Sequence, residues 1–196
     1  MVAHAVWDRG VAGSNPVSPT TEKPYDQYGS WGFSYGAIIR SMNNQELPYP
    51  APDFSLVNQD SERVELKDFR GEWLVLYFYP KDDTPSCTTE ACSLRDAWDE
   101  LTDMGVKVVG VSMDPPSSHT AFKAKYNLNF TLLSDPRREV IEKYDAWGKK
   151  MFGNEGILRK TYLIDPDGMI RKIFGRVRSA GHGDQVVAAL KELQAT

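Results

Sequence analysis

The run Trp73-Leu74-Val75-Leu76-Tyr77-Phe78-Tyr79 constrains this chain more than any other stretch. Seven consecutive apolar or aromatic residues without alternation suit a strand covered on both faces, and such strands lie in sheets sandwiched between layers. Val106–Ser112 repeats the signal. Between the two runs, Cys87–Met104 reads as a helix: Ala91, Leu94, Trp98 and Leu101 are spaced 3, 4 and 3 apart on one face, and Gly105 stops it. Ser117–Tyr126, Arg137–Tyr144 and Gly183–Leu193 read as further helices. Asp53–Asn58 and Arg63–Phe69 read as short strand pieces, and Arg159–Asp165 with Met169–Phe174 as a hairpin around Pro166-Asp167-Gly168. Strands alternating with helices, followed by a late hairpin, predict a three-layer α/β domain with a central mixed β-sheet flanked by helices.

Residues 1–41 break this regularity. They scatter Gly, Ser and Pro, show no apolar periodicity, and carry aromatic residues at Trp31, Phe33 and Tyr35 without partners in the pattern. The tetrapeptide Gly13-Ser14-Asn15-Pro16 is also what the T-arm of transfer-RNA genes encodes in one reading frame. Two origins are therefore expected for 1–41: a disordered extension, or the product of a start codon placed too early, with Met42 as the genuine start. Three acids and three bases in the segment argue against a targeting peptide. The folded domain is expected to be 42–196.

The net charge of −4 comes from mixed signs, with no basic stripe able to neutralise a phosphate backbone, so nucleic acid is not an expected partner. No segment approaches the ~18 apolar residues of a membrane span, and the N-terminus lacks the continuous apolar run of a secretory signal, so no membrane partner is expected and the expected location is cytoplasmic. In a reducing compartment a pair of thiols is more often catalytic or metal-binding than structural.

Both cysteines, Cys87 and Cys92, fall in Pro80-Lys81-Asp82-Asp83-Thr84-Pro85-Ser86-Cys87-Thr88-Thr89-Glu90-Ala91-Cys92. A structural zinc site is not expected, because His4, His119 and His182 are widely scattered. A C-x-x-C pair, a Walker loop and a G-x-G-x-x-G turn are all missing from the sequence. What remains is the chemistry of the thiols. A strand, a tight turn and then a helix put Cys87 in the first helical turn, where unpaired N–H groups and the positive end of the dipole favour a thiolate. The plain alternative is two small core residues on a helix.

The flanking residues decide between these readings. Pro80, Thr84 and Cys87 fit the P-x-x-x-[ST]-x-x-C pattern of peroxiredoxins, and Tyr79–Cys92 resembles the peroxiredoxin Q, or bacterioferritin comigratory protein, subfamily. The resemblance continues through Val106–Pro136 and Arg159–Asp165, and spans about residues 46–194. It implies a thioredoxin-like fold and reduction of hydroperoxides without metal, haem or flavin, so no cofactor is expected. Ser86 stands where this subfamily often carries glycine.

Carried over by position, Cys87 resembles the peroxidatic cysteine, Thr84 the hydroxyl that helps bind peroxide, and Arg159 the strand-borne guanidinium. Pro80 would shield the thiolate from bulk water. Arg159 could also be a solvated strand residue, Glu90 either a local hydrogen-bonding group or a solvated helix acid, and Trp147 is expected to pack rather than catalyse. Cys92 resembles the resolving cysteine, which condenses with the sulfenic acid on Cys87. Positions i and i+5 of an ideal helix hold their Cα atoms roughly 8 to 9 Å apart, whereas a disulfide tolerates less than ~7 Å. The helix is therefore expected to unwind before the bond closes. The implied partners are a hydroperoxide substrate and thioredoxin or a similar dithiol reductant, and a monomer is expected. A general thiol–disulfide exchanger and a non-catalytic redox sensor are the competing functions.

Overall fold

The computed structural model describes residues 46–150 and 153–195, all of them within the unit 33–196. The expected boundary at Met42, and the origin expected for 1–41, lie outside the described residues.

The strands are β1 (Tyr49–Pro50), β2 (Ser55–Asn58), β3 (Arg63–Glu65), β4 (Trp73–Phe78), β5 (Val106–Ser112), β6 (Thr131–Ser134), β7 (Trp147–Lys149), β8 (Glu155–Ile157), β9 (Lys160–Ile164) and β10 (Met169–Phe174). The helices are α1 (Pro85–Asp96), α2 (Trp98–Asp103), α3 (Pro116–Tyr126), α4 (Glu139–Lys143) and α5 (His182–Gln194). One sheet of eight strands runs β1-β10-β9-β4-β5-β6-β2-β3, and β7 pairs with β8 apart from it. The apolar run forms β4, parallel to β5 and antiparallel to β9.

Alternation along β4 divides the interior in two. Leu74, Leu76 and Phe78 enter one cluster with Val140, Ile141 and Tyr144 of α4 and its C-terminal end. Val75, Tyr77 and Tyr79 enter another with Cys87, Ala91 and Leu94 of α1, Leu101 of α2, Phe122 of α3, and Val186 and Leu190 of α5. This is the expected three-layer α/β architecture. Each fully buried aliphatic or aromatic side chain stabilises it by roughly 1.5–3 kcal/mol, which is why the ends of β4 are fixed tightly enough to carry a site.

Two glycines permit the close approaches that shape the site. A Cβ on Gly110 would lie 2.7 Å from the Tyr77 ring, its register partner on β4, so glycine leaves room for that ring beneath α1. A Cβ on Gly183 would lie 2.2 Å from the Ser93 carbonyl oxygen, so glycine lets α5 rest directly on α1. There the Gly183 N–H donates to Ser93 Oγ at 2.9 Å.

The expected single helix 87–104 is broken. Ala97, at φ −87° and ψ 3°, separates α1 from α2 and turns Trp98 onto Phe130, 6.5 Å between ring centroids. The expected helix 137–144 shortens to Glu139–Lys143, because Asp135 accepts the N–H groups of Glu139, Val140 and Ile141 and fixes where it begins. The second half of Arg63–Phe69 is a 3₁₀ turn, Leu66–Phe69, and not a strand. The hairpin begins one residue late, at Lys160, so Arg159 precedes β9.

Candidate active site

The chain leaves β4 at Phe78, turns through Pro80–Thr84, and enters α1 with Thr84 in an extended conformation and Pro85 at the first helical position. Proline suits that place, since its fixed φ fits the helix and its missing N–H would have had no partner. Cys87 follows in the first turn and is 1% exposed. The earliest helical bond runs from the Thr88 N–H to the Thr84 carbonyl at 2.8 Å, so the N–H groups of the preceding residues face outward from the helix start.

Arg159, brought in at the foot of β9, donates from Nη2 to Cys87 Sγ at 3.4 Å and from Nη1 to Glu90 Oε2. The sulfur therefore lies between two sources of positive potential, a guanidinium and a helix N-terminus. The solvated-strand alternative for Arg159 fails: its side chain is 16% exposed and bonded to both groups. The solvated-acid alternative for Glu90 fails too, because its side chain is fully buried on the face of α1 turned to the sheet. Burial raises the Glu90 carboxyl to about 7 against the opposing pull of Arg159. Glu90 Oε1 has no hydrogen-bond partner among the described residues. Arg159 is held above its ordinary range: burial works against the cation, and Glu90 and Cys87 together outweigh it.

The remaining expected residues surround this centre. The Thr84 hydroxyl donates to the Lys81 carbonyl at 3.1 Å, which leaves its oxygen lone pairs available. Pro80 is half-buried at the end of the central strand, and Ser86 is exposed at the second position of α1. Cys92 is half-buried on the same helix and, like Cys87, is a free thiol. It lines an open depression of about 570 Å³ with Thr88, Thr89, Ser93, Ala180 and Gly181. Trp147 packs against the opposite side of the sheet, with the Arg138 guanidinium 4.4 Å from its ring centre.

Several buried groups near the centre give little sign in the sequence. Tyr77 is fully buried and its hydroxyl has no partner among the described residues; burial, followed by the charges of Glu90, Asp82 and Cys87, holds that hydroxyl well above the ordinary tyrosine range. Thr161, the register partner of Tyr77, lies 2.8 Å from His182 Nε2. Burial lowers His182 to about 4 against the opposing pull of Gln185, and the charge of Arg159 adds to the effect. His182 therefore adds a neutral wall, not a second cation. On the other side of Tyr79, Asp82 and His119 form a second buried pair. Their only trace in the sequence is polarity beside an apolar run.

The AhpC/TSA family profile matches residues 48–173. Peroxiredoxin Bcp of Escherichia coli strain K12 is 48% identical over 154 residues, covering 77% of this chain and 99% of that protein. Peroxiredoxin Bcp of Bacillus subtilis strain 168 is 42% identical over 151 residues, covering 76% and 96%. Among solved structures, peroxiredoxin Q of Xanthomonas campestris superposes with a TM-score of 0.68 at 39% identity, covering 71% of this chain and 90% of that one. A structure of the bacterioferritin comigratory protein of the same organism, described for its alkyl peroxide reduction activity, gives 0.68 at 38% identity, with 71% and 91% covered.

Fold, site and relatives agree on one class, the thiol-dependent peroxidases. The chain belongs to the AhpC/TSA family of peroxiredoxins, alongside the Bcp and peroxiredoxin Q proteins. It is an oxidoreductase that acts on peroxides with a thiol reductant.

Proposed function

We propose that Cys87 is the peroxidatic cysteine and Cys92 the resolving cysteine of a thioredoxin-dependent peroxidase for hydrogen peroxide and organic hydroperoxides. The observation that carries this reading is the Arg159 guanidinium on a buried sulfur at a helix start. The Cys87 thiolate attacks the terminal oxygen of the hydroperoxide. The S–O bond forms, the O–O bond breaks, and the alkoxide or hydroxide leaves and takes a proton from solvent, giving a sulfenic acid. Negative charge moves from sulfur to the departing oxygen in this step, so a fixed guanidinium has most effect in the transition state, while the free lone pairs of Thr84 can accept the O–H of the bound hydroperoxide. Pro80 covers the sulfur from the side of the turn.

In the second step the Cys92 thiol displaces the hydroxyl of the sulfenic acid, forming the disulfide and releasing water. Both cysteines lie on α1, and five residues of helix hold their Cα atoms too far apart to bond, so α1 unwinds first. A dithiol of the thioredoxin type then attacks the disulfide and returns two thiols. All the groups named come from one chain, which supports a monomer, and a cycle that starts from free thiols suits the cytoplasm. They also lie beyond residue 79, and the family profile begins at residue 48, which supports 42–196 as the active domain.

The test is steady-state consumption of hydrogen peroxide with a dithiol donor. The intact protein turns over many times and Cys87→Ser does not. A single oxidation per chain would indicate a sensor, and undiminished turnover in Cys87→Ser would remove Cys87 from the chemistry.

A further inference from the structure

The two aspartates of the turn before α1 point to opposite sides, and both end on α3. Asp82 faces inward: its carboxylate accepts from the Tyr79 hydroxyl at 2.6 Å and from Ser118 Oγ at 2.7 Å, and lies 2.8 Å from His119 Nδ1. Its own N–H donates to Asp114 Oδ2 at 2.9 Å. Burial works against its charge, yet bonds from His119, Tyr79 and Ser118 bring the Asp82 carboxyl below its ordinary range. Asp83 faces outward and accepts from Lys125 Nζ at 2.6 and 2.9 Å and from the Tyr126 hydroxyl at 2.5 Å. Ser118 and His119 lie near the start of α3, and Lys125 and Tyr126 at its end. One helix therefore grips the turn at two places. Asp83 also has φ +53°, a left-handed conformation that is uncommon for residues with a side chain.

The mechanism above uses none of these bonds, but the residue after Asp83 is Thr84, whose carbonyl accepts the first bond of α1. A helix is costly to nucleate, because its first turn fixes several residues for one hydrogen bond. A turn held in place supplies part of that order in advance. We propose that Asp82 and Asp83, held by His119 and Lys125, are positioning residues: the grip of α3 keeps the first turn of α1 wound, and so governs how readily Cys87 reaches Cys92. This rests on the disulfide reading of the preceding section.

The direction of the effect does not depend on whether the turn lets go. If the grip is released on unwinding, its bonds are present only in the wound state. If it stays closed, it restricts one end of the unwound segment and lowers that segment's entropy. Either way it favours the wound form, in which Cys87 meets peroxide, over the form in which Cys87 meets Cys92. The fate of the sulfenic acid then follows. Condensation with Cys92 gives disulfide and water, whereas a second hydroperoxide gives sulfinic acid and alcohol. A tighter grip prolongs exposure to the second outcome.

The test uses the full chain, reduced and then mixed with hydrogen peroxide, with disulfide and sulfinic acid followed by quenching and mass spectrometry. His119→Phe removes the donor to Asp82 and should speed disulfide formation by about tenfold or more, as expected for losing a hydrogen bond to a charged group. It should lower the sulfinic acid yield. The same tenfold change, displacing the dithiol–disulfide equilibrium toward disulfide, would lower the reduction potential by about 30 mV. His119→Gln retains an N–H donor and should recover most of the wild-type rate. Lys125→Met acts from the surface and should show the same sign at about threefold; it carries the test if His119→Phe does not fold. Wild-type disulfide rates in folded His119→Phe and Lys125→Met, even with lowered melting temperatures, would overturn the inference. If the parent chain forms no Cys87–Cys92 disulfide at all, the resolving role of Cys92 falls, and this inference with it.

Discussion

The sheet-borne half of the site and its helix-borne half are held in different ways. Tyr77 is paired on one side with Gly110 and on the other with Thr161, and a slip of one residue would exchange the two faces of β4. Arg159 enters directly beneath β9 and inherits that rigidity. Cys87, Glu90 and Cys92 instead share α1, a helix of 12 residues, a length that is marginal on its own in water. The wall beside the Cys87 sulfur is thus fixed by the sheet, while the proposed cycle asks α1, which carries both sulfurs, to unwind. A two-step thiol cycle needs both properties, since the first step rewards fixed geometry and the second requires a helix to open.

The largest effect should come from breaking the sheet-borne half. Arg159→Lys keeps a charge but loses the planar fork that reaches Cys87 and Glu90 together. Oxidation of Cys87 by hydrogen peroxide, followed by stopped flow, should slow by about 100-fold, the scale seen when a donor to developing oxygen charge is removed. An unchanged oxidation rate would show that the guanidinium only shapes the pocket.

The helix-borne half can be probed by titration. Glu90 has its carboxyl raised from 4.5 to about 7, so its contribution to stability is full below pH 4.5 and is lost as pH rises through about 7. His182, lowered from 6.5 to about 4, acts with the opposite sign, its contribution being lost as pH falls from 6.5 through about 4. Above pH 6.5 the loss from the carboxyl outweighs the remaining gain from the imidazole, which offsets roughly half of it. Between pH 6.5 and 8 the protein should lose about 1 kcal/mol on account of Glu90, or roughly 3 °C in melting temperature. Glu90→Gln should flatten that slope. A slope that persists in Glu90→Gln would assign the titration to another group.

The smallest effect should follow from removing what neither half uses. A chain beginning at Met42 retains all the residues placed in the site, and its peroxide turnover should match that of the full chain within measurement error. A loss of turnover would show that 1–41 contributes to activity.

The site was legible in the sequence where local chemistry announces itself. A proline, a threonine and a cysteine at fixed spacing after an apolar strand place a sulfur at a helix start without any knowledge of distant contacts. Glu90 was not legible in that way. On its own helix it reads equally well as a solvated acid, and its burial is decided by Arg159, which is 69 residues away. Asp82 and Asp83 make the same point more sharply: two adjacent residues of one type, one buried and one exposed, distinguished only by what α3 presents to each. The fold shows a parallel limit. The long runs β4 and β5 carry their own signal, whereas β6, β7 and β8 have only 4, 3 and 3 residues and exist because neighbouring segments pair with them.

The central claim is that both sulfurs of α1 react in succession. The most direct test treats the reduced protein with one equivalent of hydrogen peroxide, then alkylates it under denaturing conditions and maps its peptides by mass spectrometry. The account predicts no alkylated cysteine and one disulfide joining the peptides that contain Cys87 and Cys92, and predicts that Cys92→Ser stops at a sulfenic acid on Cys87. An alkylated Cys92 in oxidised wild-type protein, with the added oxygen retained on Cys87, would contradict it.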